Sequence, residues 1–291
     1  MEKQNKFVKD MTKGNPMQLL IQFSLPLLVG NIFQQLYNMV DSIIVGNFVG
    51  ANALGAIGTT NSLNFFFFSL VAGLSVGIGI IVAQYFGFGD EEKVKDAIGN
   101  SIWIITICSV IMAIIGFVTA RPILVLLDTD PVILNDAVAY LKVVSIGIVC
   151  VGFYNGVSGI LRALGDSKTP LIFLIVASVL NVILDLIFVL SFGWGVVGAG
   201  VATAFSQLIS ALACIIYAYK SNTYFKLKKK NIKLNGNIIK KSCKLGIPVA
   251  LQNSLIAFSL IVLQKVVNGY GATFTTAFTV VSRIETLVQQ P

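Results

Sequence analysis

The chain has 291 residues, of which 56% are hydrophobic and 12% charged, with a formal net charge of +8 and no histidine. An ordinary soluble domain carries roughly a quarter charged residues, so water cannot be the solvent for most of this surface. The lack of histidine excludes His-based catalysis and a His proton relay, and Cys108, Cys150, Cys214 and Cys243 have no paired spacing that suggests a metal site or a disulfide.

Residues 1–16 are polar and carry Lys3, Lys6, Lys9 and Lys13. The apolar stretch that follows is too long for a signal-peptide core and has no small-residue cleavage site, so a retained cytoplasmic tail is expected. Charge-free runs at 14–40, 42–89 and 97–120 reach the roughly 20 residues needed to cross a hydrocarbon core as helix. Lipid cannot satisfy free backbone groups, which leaves helices as the spans and makes the chain an all-α, polytopic membrane protein. Eight segments are predicted: 17–42, 53–84, 97–120, 138–161, 171–191, 197–219, 245–268 and 274–291. Threaded from an inside N-terminus, they leave 17 Lys/Arg on the cytoplasmic side and only Arg121 outside, with Lys142, Lys265 and Arg283 within spans. The positive-inside rule therefore supports a multi-pass protein of the cytoplasmic membrane with a cytoplasmic N-terminus. The basic stretch 220–244 reads as a topology-fixing loop, because it lacks the aromatic interleaving of a nucleic-acid surface.

That loop separates two similar starts. Phe23-Ser-Leu-Pro-Leu-Leu-Val-Gly-Asn31 reappears as Leu245-Gly-Ile-Pro-Val-Ala-Leu-Gln-Asn253, and Gly50-Ala51 corresponds to Gly271-Ala272 with the offset reduced by one. A repeat of about 222 residues with six spans before it implies two halves of like orientation, related by an axis along the membrane normal. The expected organisation is a six-helix N-terminal lobe (1–219), a basic linker (220–244) and the first two helices of a C-terminal lobe (245–291), most of which the chain would lack.

Two carboxylates lie inside apolar spans, Asp41 in the first and Asp185 in the fifth, and a charge costs at least about 2.5–3.5 kcal/mol there, which marks both as functional candidates. Asn31, Gln34, Asn38 and Asp41 share one helical face, as do Ser178, Asn181 and Asp185 on the fifth segment and Thr203, Gln207 and Ser210 on the sixth. Asn155 and Ser158 add to these near the cytoplasmic end of the fourth. Such a pocket of carboxylate and amide oxygens suits a proton or a hard monovalent cation, because desolvation and mutual repulsion oppose two bare charges. No base accompanies any serine and no nitrogen ligand is available, so the residues do not point to an enzyme. Gly73, Gly77, Gly79, Gly152, Gly156 and Gly159 are expected to allow close helix packing, and Lys142 and Lys265 to snorkel toward the interfaces, whereas Arg283 and Glu285 of the eighth segment either pair with each other or face the cavity.

Pro26-Leu-Leu-Val-Gly-Asn31, Tyr37-Asn-Met-Val-Asp-Ser42, Gly159-Ile-Leu-Arg-Ala-Leu-Gly-Asp-Ser-Lys-Thr-Pro170, Asn181-Val-Ile-Leu-Asp185 and the glycine-rich run from Gly195 to Gln207 together resemble the multidrug and toxic compound extrusion (MATE) family, in its DinF-like branch. The resemblance implies a twelve-helix antiporter of two six-helix lobes, with no cofactor, that exports organic, often cationic compounds in exchange for Na+ or H+. It implies a cation site at Asp41, Asn181, Asp185 and Thr203 with Asn155 as an additional member, and a substrate cavity near Gln34, Asn38 and Gln207. A full-length protein of this kind is expected to work as a monomer, with small organic substrates and the bilayer as its partners and no nucleic acid. An acidic residue in the seventh helix, used by another branch, is missing from Ser254-Leu-Ile-Ala257. Alternating access with Pro26 as a break point in the first helix is the mechanism expected. A lipid-linked oligosaccharide flippase of the same superfamily is the alternative transporter, and an intramembrane enzyme or receptor the alternative from another class.

Overall fold

The computed structural model describes residues 15–289, so the four lysines of the N-terminal tail lie outside the described residues. Eight α-helices follow in order: α1 (Pro16–Phe48), α2 (Ala51–Gly87), α3 (Glu91–Leu126), α4 (Pro131–Ala163), α5 (Lys168–Asp185), α6 (Gly195–Ser221), α7 (Gly236–Asn268) and α8 (Ala272–Gln289). Among the described residues there is no strand. A π-helical stretch, Leu186–Ser191, continues α5, and a 3-10 turn, Thr223–Phe225, follows α6. Seven helices, α1 to α7, are long and apolar enough to cross a membrane. The described part of α8 falls short of that, because Arg283, Glu285 and several threonines dilute its apolar residues.

Most helices run past the predicted apolar segments, since polar caps outside the apolar runs start them. Asn15, Asp90 and Asp130 accept hydrogen bonds from the backbone N–H of Met17, Lys93 and Val132 at 3.0, 3.1 and 2.9 Å. The largest difference is at α7, which begins at Gly236 rather than 245. Asn235 caps the N–H groups of Asn237 and Ile238, and Ile238 is buried in an apolar cluster with Ile98 and Val94, so the last third of the expected linker is helix. α1 is continuous through Pro26.

Packing is closest where side chains are smallest. A Cβ on Gly73 or Gly77 of α2 would strike the backbone of Ala250 or Gly246 on α7, and one on Gly152 or Gly156 of α4 would strike Ser109 or Ile105 of α3. These glycines therefore serve helix contact. On another face, α2 meets α8: Gly55 and Gly58 receive Thr276 and Thr279, and Asn61 accepts a hydrogen bond from Arg283 at 3.3 Å, a pair 222 residues apart.

The remaining linker folds onto the start of α3. Asn231 Nδ2 donates to Asp96 at 2.7 Å, Trp103 Nε1 donates to the Ile232 carbonyl at 2.8 Å, and Asn100 accepts from the Asn235 N–H at 2.8 Å. Gly99 leaves room for the Asn231 carbonyl. At the polar start of α3, before the apolar segment, Lys230 pairs with Glu92 at 2.7 Å, and this ammonium holds the Glu92 carboxyl below its ordinary range. At the opposite end, Asp130 accepts from the Ala272 N–H at 3.0 Å and Asn268 donates to the Leu127 carbonyl at 3.0 Å, which tie α8 and α7 to the α3–α4 turn.

Candidate functional site

Asp41 lies on α1 two turns before its end, with 7% of its surface exposed, and Asp185 is fully buried as the last residue of α5. The two side chains come within hydrogen-bonding reach of each other, and one oxygen of each, Oδ1, has no partner. Asp185 sits where the helix passes from α to π geometry, a feature frequent at functional sites. Local sequence explains the tight return that follows. Phe188, Phe192 and Trp194 stack with ring centroids 5.2–6.0 Å apart, and Gly193 and Gly195 take φ of 66° and 56°, which bends the chain into α6 and lays it beside α5.

This return sets Thr203 opposite Asn181. With its amide nitrogen toward Asp185 Oδ2 at 3.3 Å, the 1%-exposed Asn181 accepts from the Thr203 N–H at 3.3 Å, and in the opposite orientation its nitrogen reaches the Thr203 hydroxyl at 3.4 Å. The structure thus brings Asp41, Asp185, Asn181 and Thr203 together. Beside them a cavity of about 200 Å3 opens between α1, α4, α5 and α6, lined by Gln34, Tyr37, Asn155, Thr203 and Gln207 and reaching Arg162. Gln207 and Ser158 each present a buried oxygen without a partner there, as befits a polar space rather than a dry one. Asn155 lines the cavity but spends its amide nitrogen on the Val151 carbonyl at 2.9 Å. Asn38 does not line it, and its backbone carbonyl accepts from Ser42 Oγ at 2.8 Å.

Tyr37 and Tyr140 join the site without having been singled out from sequence, and Arg283, which the sequence leaves open between pairing with Glu285 and facing the cavity, lies near them. Tyr37 lies one turn before Asp41 on the same face, and that four-residue spacing was a readable signal. Tyr140, buried on α4, and Arg283, from α8, lie close to this cluster, and nothing in the local sequence of Tyr140 announces it. Arg283 Nη2 donates to Asn61, while its Nε is buried without a partner. The other in-span cations turn elsewhere: Lys142 stacks 5.1 Å over the Phe117 ring, and Lys265 donates to the Leu126 carbonyl at 2.9 Å and pairs with Asp128 at 3.2 Å.

Chemically, two adjacent carboxyls with free oxygens, an amide and a hydroxyl fit a proton or a small hard cation. Among the described residues no group of three His, Cys, Asp or Glu side chains could cage a transition metal. The unpartnered Oδ1 atoms are what the fit rests on, since buried acceptors are ordinarily satisfied.

The MatE family model matches residues 26–187. A probable multidrug resistance protein of Bacillus subtilis, YpnP, is 33% identical over 97% of the chain, which spans 63% of that relative. The multidrug export protein MepA of Staphylococcus aureus is 27% identical over 89% of the chain, which spans 57% of it. Among solved structures, a ligand complex of the MATE multidrug transporter DinF-BH superposes with a TM-score of 0.90 at 26% identity, covering all of this chain and 65% of that one. An outward-facing MATE transporter superposes at 0.84 and 26% identity over 99% of this chain and 66% of that one. The chain thus spans about three fifths of the curated relatives it matches.

Proposed function

The chain belongs to the MatE family of membrane transporters, which are not enzymes, and from that premise we propose that it forms the cation-coupled part of an antiporter that exports organic, often cationic compounds. The observation that carries this reading is the buried meeting of Asp41 and Asp185 with Asn181 and Thr203 beside a polar cavity. Asp41, Asp185, Asn181 and Thr203 would hold the exchanged Na+ or H+, whose positive charge offsets the repulsion between the carboxyls. The names of the relatives, multidrug resistance and multidrug export proteins, support small organic compounds as the cargo.

Two lobes related by an axis along the membrane normal belong to the same proposal. A residue that touches its own repeat mate must lie near the axis relating the two, and α2 and α8 supply such contacts. Gly55 and Gly58 meet Thr276 and Thr279 at the 221-residue offset that separates Gly50 from Gly271, and Asn61 meets Arg283 one residue beyond that register. A cytoplasmic N-terminus in the cell membrane is supported by the linker, whose lysines share one end of the bundle with Lys93 and Lys95 through the Lys230–Glu92 pair. An oligosaccharide flippase would need basic residues gathered for pyrophosphate, whereas of the three in-span cations only Arg283 approaches the cluster.

Coupling requires that cation and substrate favour different conformations, since a ligand with equal affinity for both shifts nothing. One positive charge entering down about 100 mV supplies roughly 2.3 kcal/mol, equivalent to about a fortyfold substrate gradient. The test is ethidium efflux by the full-length protein in proteoliposomes under separately imposed Na+ and pH gradients. Asp41→Asn and Asp185→Asn should each abolish gradient-driven efflux, and its survival in both would overturn the assignment.

A further inference from the structure

α4 ends and α5 begins around a tight turn, in which Gly165 takes φ of 86° and Tyr154 donates its hydroxyl to the Pro170 carbonyl at 2.8 Å. That turn closes one end of the cavity between α1, α4, α5 and α6, and the end is basic. Arg162, in the last turn of α4, lines it together with Ser158 one turn earlier and Ser167 at the start of α5. Arg162 Nε donates to the Ser158 carbonyl at 3.2 Å, whereas neither Nη nitrogen has a hydrogen-bond partner among the described residues. Among those residues no carboxylate lies within the 4.0 Å of an ion pair with Arg162 either. Asp166, the nearest in sequence, does not line the cavity and accepts from the Thr169 N–H and hydroxyl at 3.0 and 2.6 Å. Ser158 is 2% exposed, and its Oγ has no partner. A guanidinium held by its own helix with both Nη groups free, beside a buried hydroxyl with no bond of its own, is a donor set matched to an oxyanion.

We propose that Arg162 and Ser158 form a carboxylate subsite in this cavity, and that the compounds it holds best are acidic or zwitterionic rather than purely cationic. The inference rests on the reading of the cavity as substrate space in an exporter. With Nε spent on the Ser158 carbonyl, the edge formed by the two Nη groups remains for a bidentate pair with a planar carboxylate, and the Ser158 hydroxyl is placed to donate a further bond. One arginine suits one carboxylate, whereas a pyrophosphate calls for several. At about 200 Å3 the space is smaller than the roughly 300 Å3 of a drug-sized pocket, so it takes the acidic head of a molecule and not the whole of it. Arg162 is a specificity-determining residue in this scheme, and its part requires no change in the charge of Asp41 or Asp185.

Rhodamine 110 and its methyl ester, rhodamine 123, form a matched pair of probes, since one carries a carboxylate and the other does not. Their binding to the full-length, detergent-purified protein is read by fluorescence anisotropy. Arg162→Gln should weaken the acid at least about tenfold, the worth of a hydrogen bond to a charged group, and leave the ester within about twofold. Arg162→Lys, which keeps the charge without the fork, should lose less for the acid, and Ser158→Ala should weaken the acid alone by about threefold. If Arg162→Gln does not fold, a loss confined to the acid in the other two variants supports the subsite. Equal losses for the two dyes, or an unchanged affinity for the acid, would overturn it. Displacement of the acid by phosphatidylglycerol and not by phosphatidylcholine would give the subsite to a lipid head group and overturn its assignment to substrate. Gradient-driven efflux of the ester in proteoliposomes separates the two readings. If the ester is not exported while the acid-selective loss holds, the antiporter reading fails and the subsite stands. If the ester is exported while both dyes lose affinity equally, only the subsite fails.

Discussion

Replacing Asp185 with asparagine should make the cation-free protein more stable while removing its response to cations. Asp185 has no exposed surface and touches Asp41 directly. Two unit charges about 4 Å apart at an effective dielectric of about 20 repel by about 4 kcal/mol, and this is the ceiling on what the substitution relieves. Sharing a proton within the pair already relieves part of it, so a gain of about 1–2 kcal/mol is expected. At about 2–4 °C per kcal/mol for a chain of this size, that raises Tm by about 2–8 °C. Asparagine keeps the volume of the side chain, so the substitution tests charge rather than packing. Tryptophan fluorescence is a suitable reporter, since Trp194 stacks on Phe188, within a turn of Asp185. Wild-type Tm should climb as NaCl replaces choline at constant ionic strength, or as the pH is lowered, because ligands that bind only the folded state stabilise it. Asp185→Asn should start higher and stay flat in both titrations. A lower starting Tm with the wild-type response preserved would refute the view that these carboxyls oppose each other and hold the exchanged ion.

Helix packing and the linker give further expectations. Gly77→Leu places atoms where a Cβ already falls 2.6 Å from the Gly246 nitrogen, so a loss of at least about 1–3 kcal/mol is expected in thermal denaturation. Gly87→Leu, which meets nothing within 4 Å, should leave Tm nearly unchanged. Asn231→Ala removes the donor to Asp96 and the acceptor for the Lys228 N–H, and amide exchange across the linker should accelerate at least about tenfold, equivalent to about 1.4 kcal/mol. The depressed Glu92 carboxyl fixes the sign of a pH effect. Its contribution to linker protection is present above the ordinary glutamate value of about 4.3 and is lost as pH falls through the lowered folded value, which protection factors measured from pH 6 to 3 would register.

Most of the site was legible because its members are costly. Asp41 and Asp185 stand out against apolar surroundings, and Asn181 and Thr203 lie on the same helical stripes, so burial cost and a period of 3.6 select them with no knowledge of their neighbours. Asn38 shares that periodicity with Asp41 and yet does not line the cavity, since a stripe fixes an angle around the helix and not what faces it at each height. Tyr140 escaped, and Arg283 stays open in the sequence between Glu285 and the cavity, for the complementary reason. Their part in the cluster depends on how α4 and α8 are rotated and placed against α1, and an arginine within a span looks the same from sequence whether it seeks the interface or the interior. Helix ends showed the same division: the apolar run told where lipid requires a helix, and the caps at Asn15, Asp90 and Asn235 carried the helices beyond it.

Solvent was therefore the sequence's own decision. The long charge-free runs and the sparse charge settle that this chain crosses lipid as helices, because transfer from water to hydrocarbon depends on composition summed along a segment and needs no partner. The tertiary structure alone decided which polar groups meet: Asp41 with Asp185, Asn181 with Thr203, and Arg283 with Asn61 across 222 residues. Electrostatic and hydrogen-bond energies depend on separation in space, and in a helical bundle that separation is set by the close approach of one helix to another at glycines such as Gly58 and Gly77.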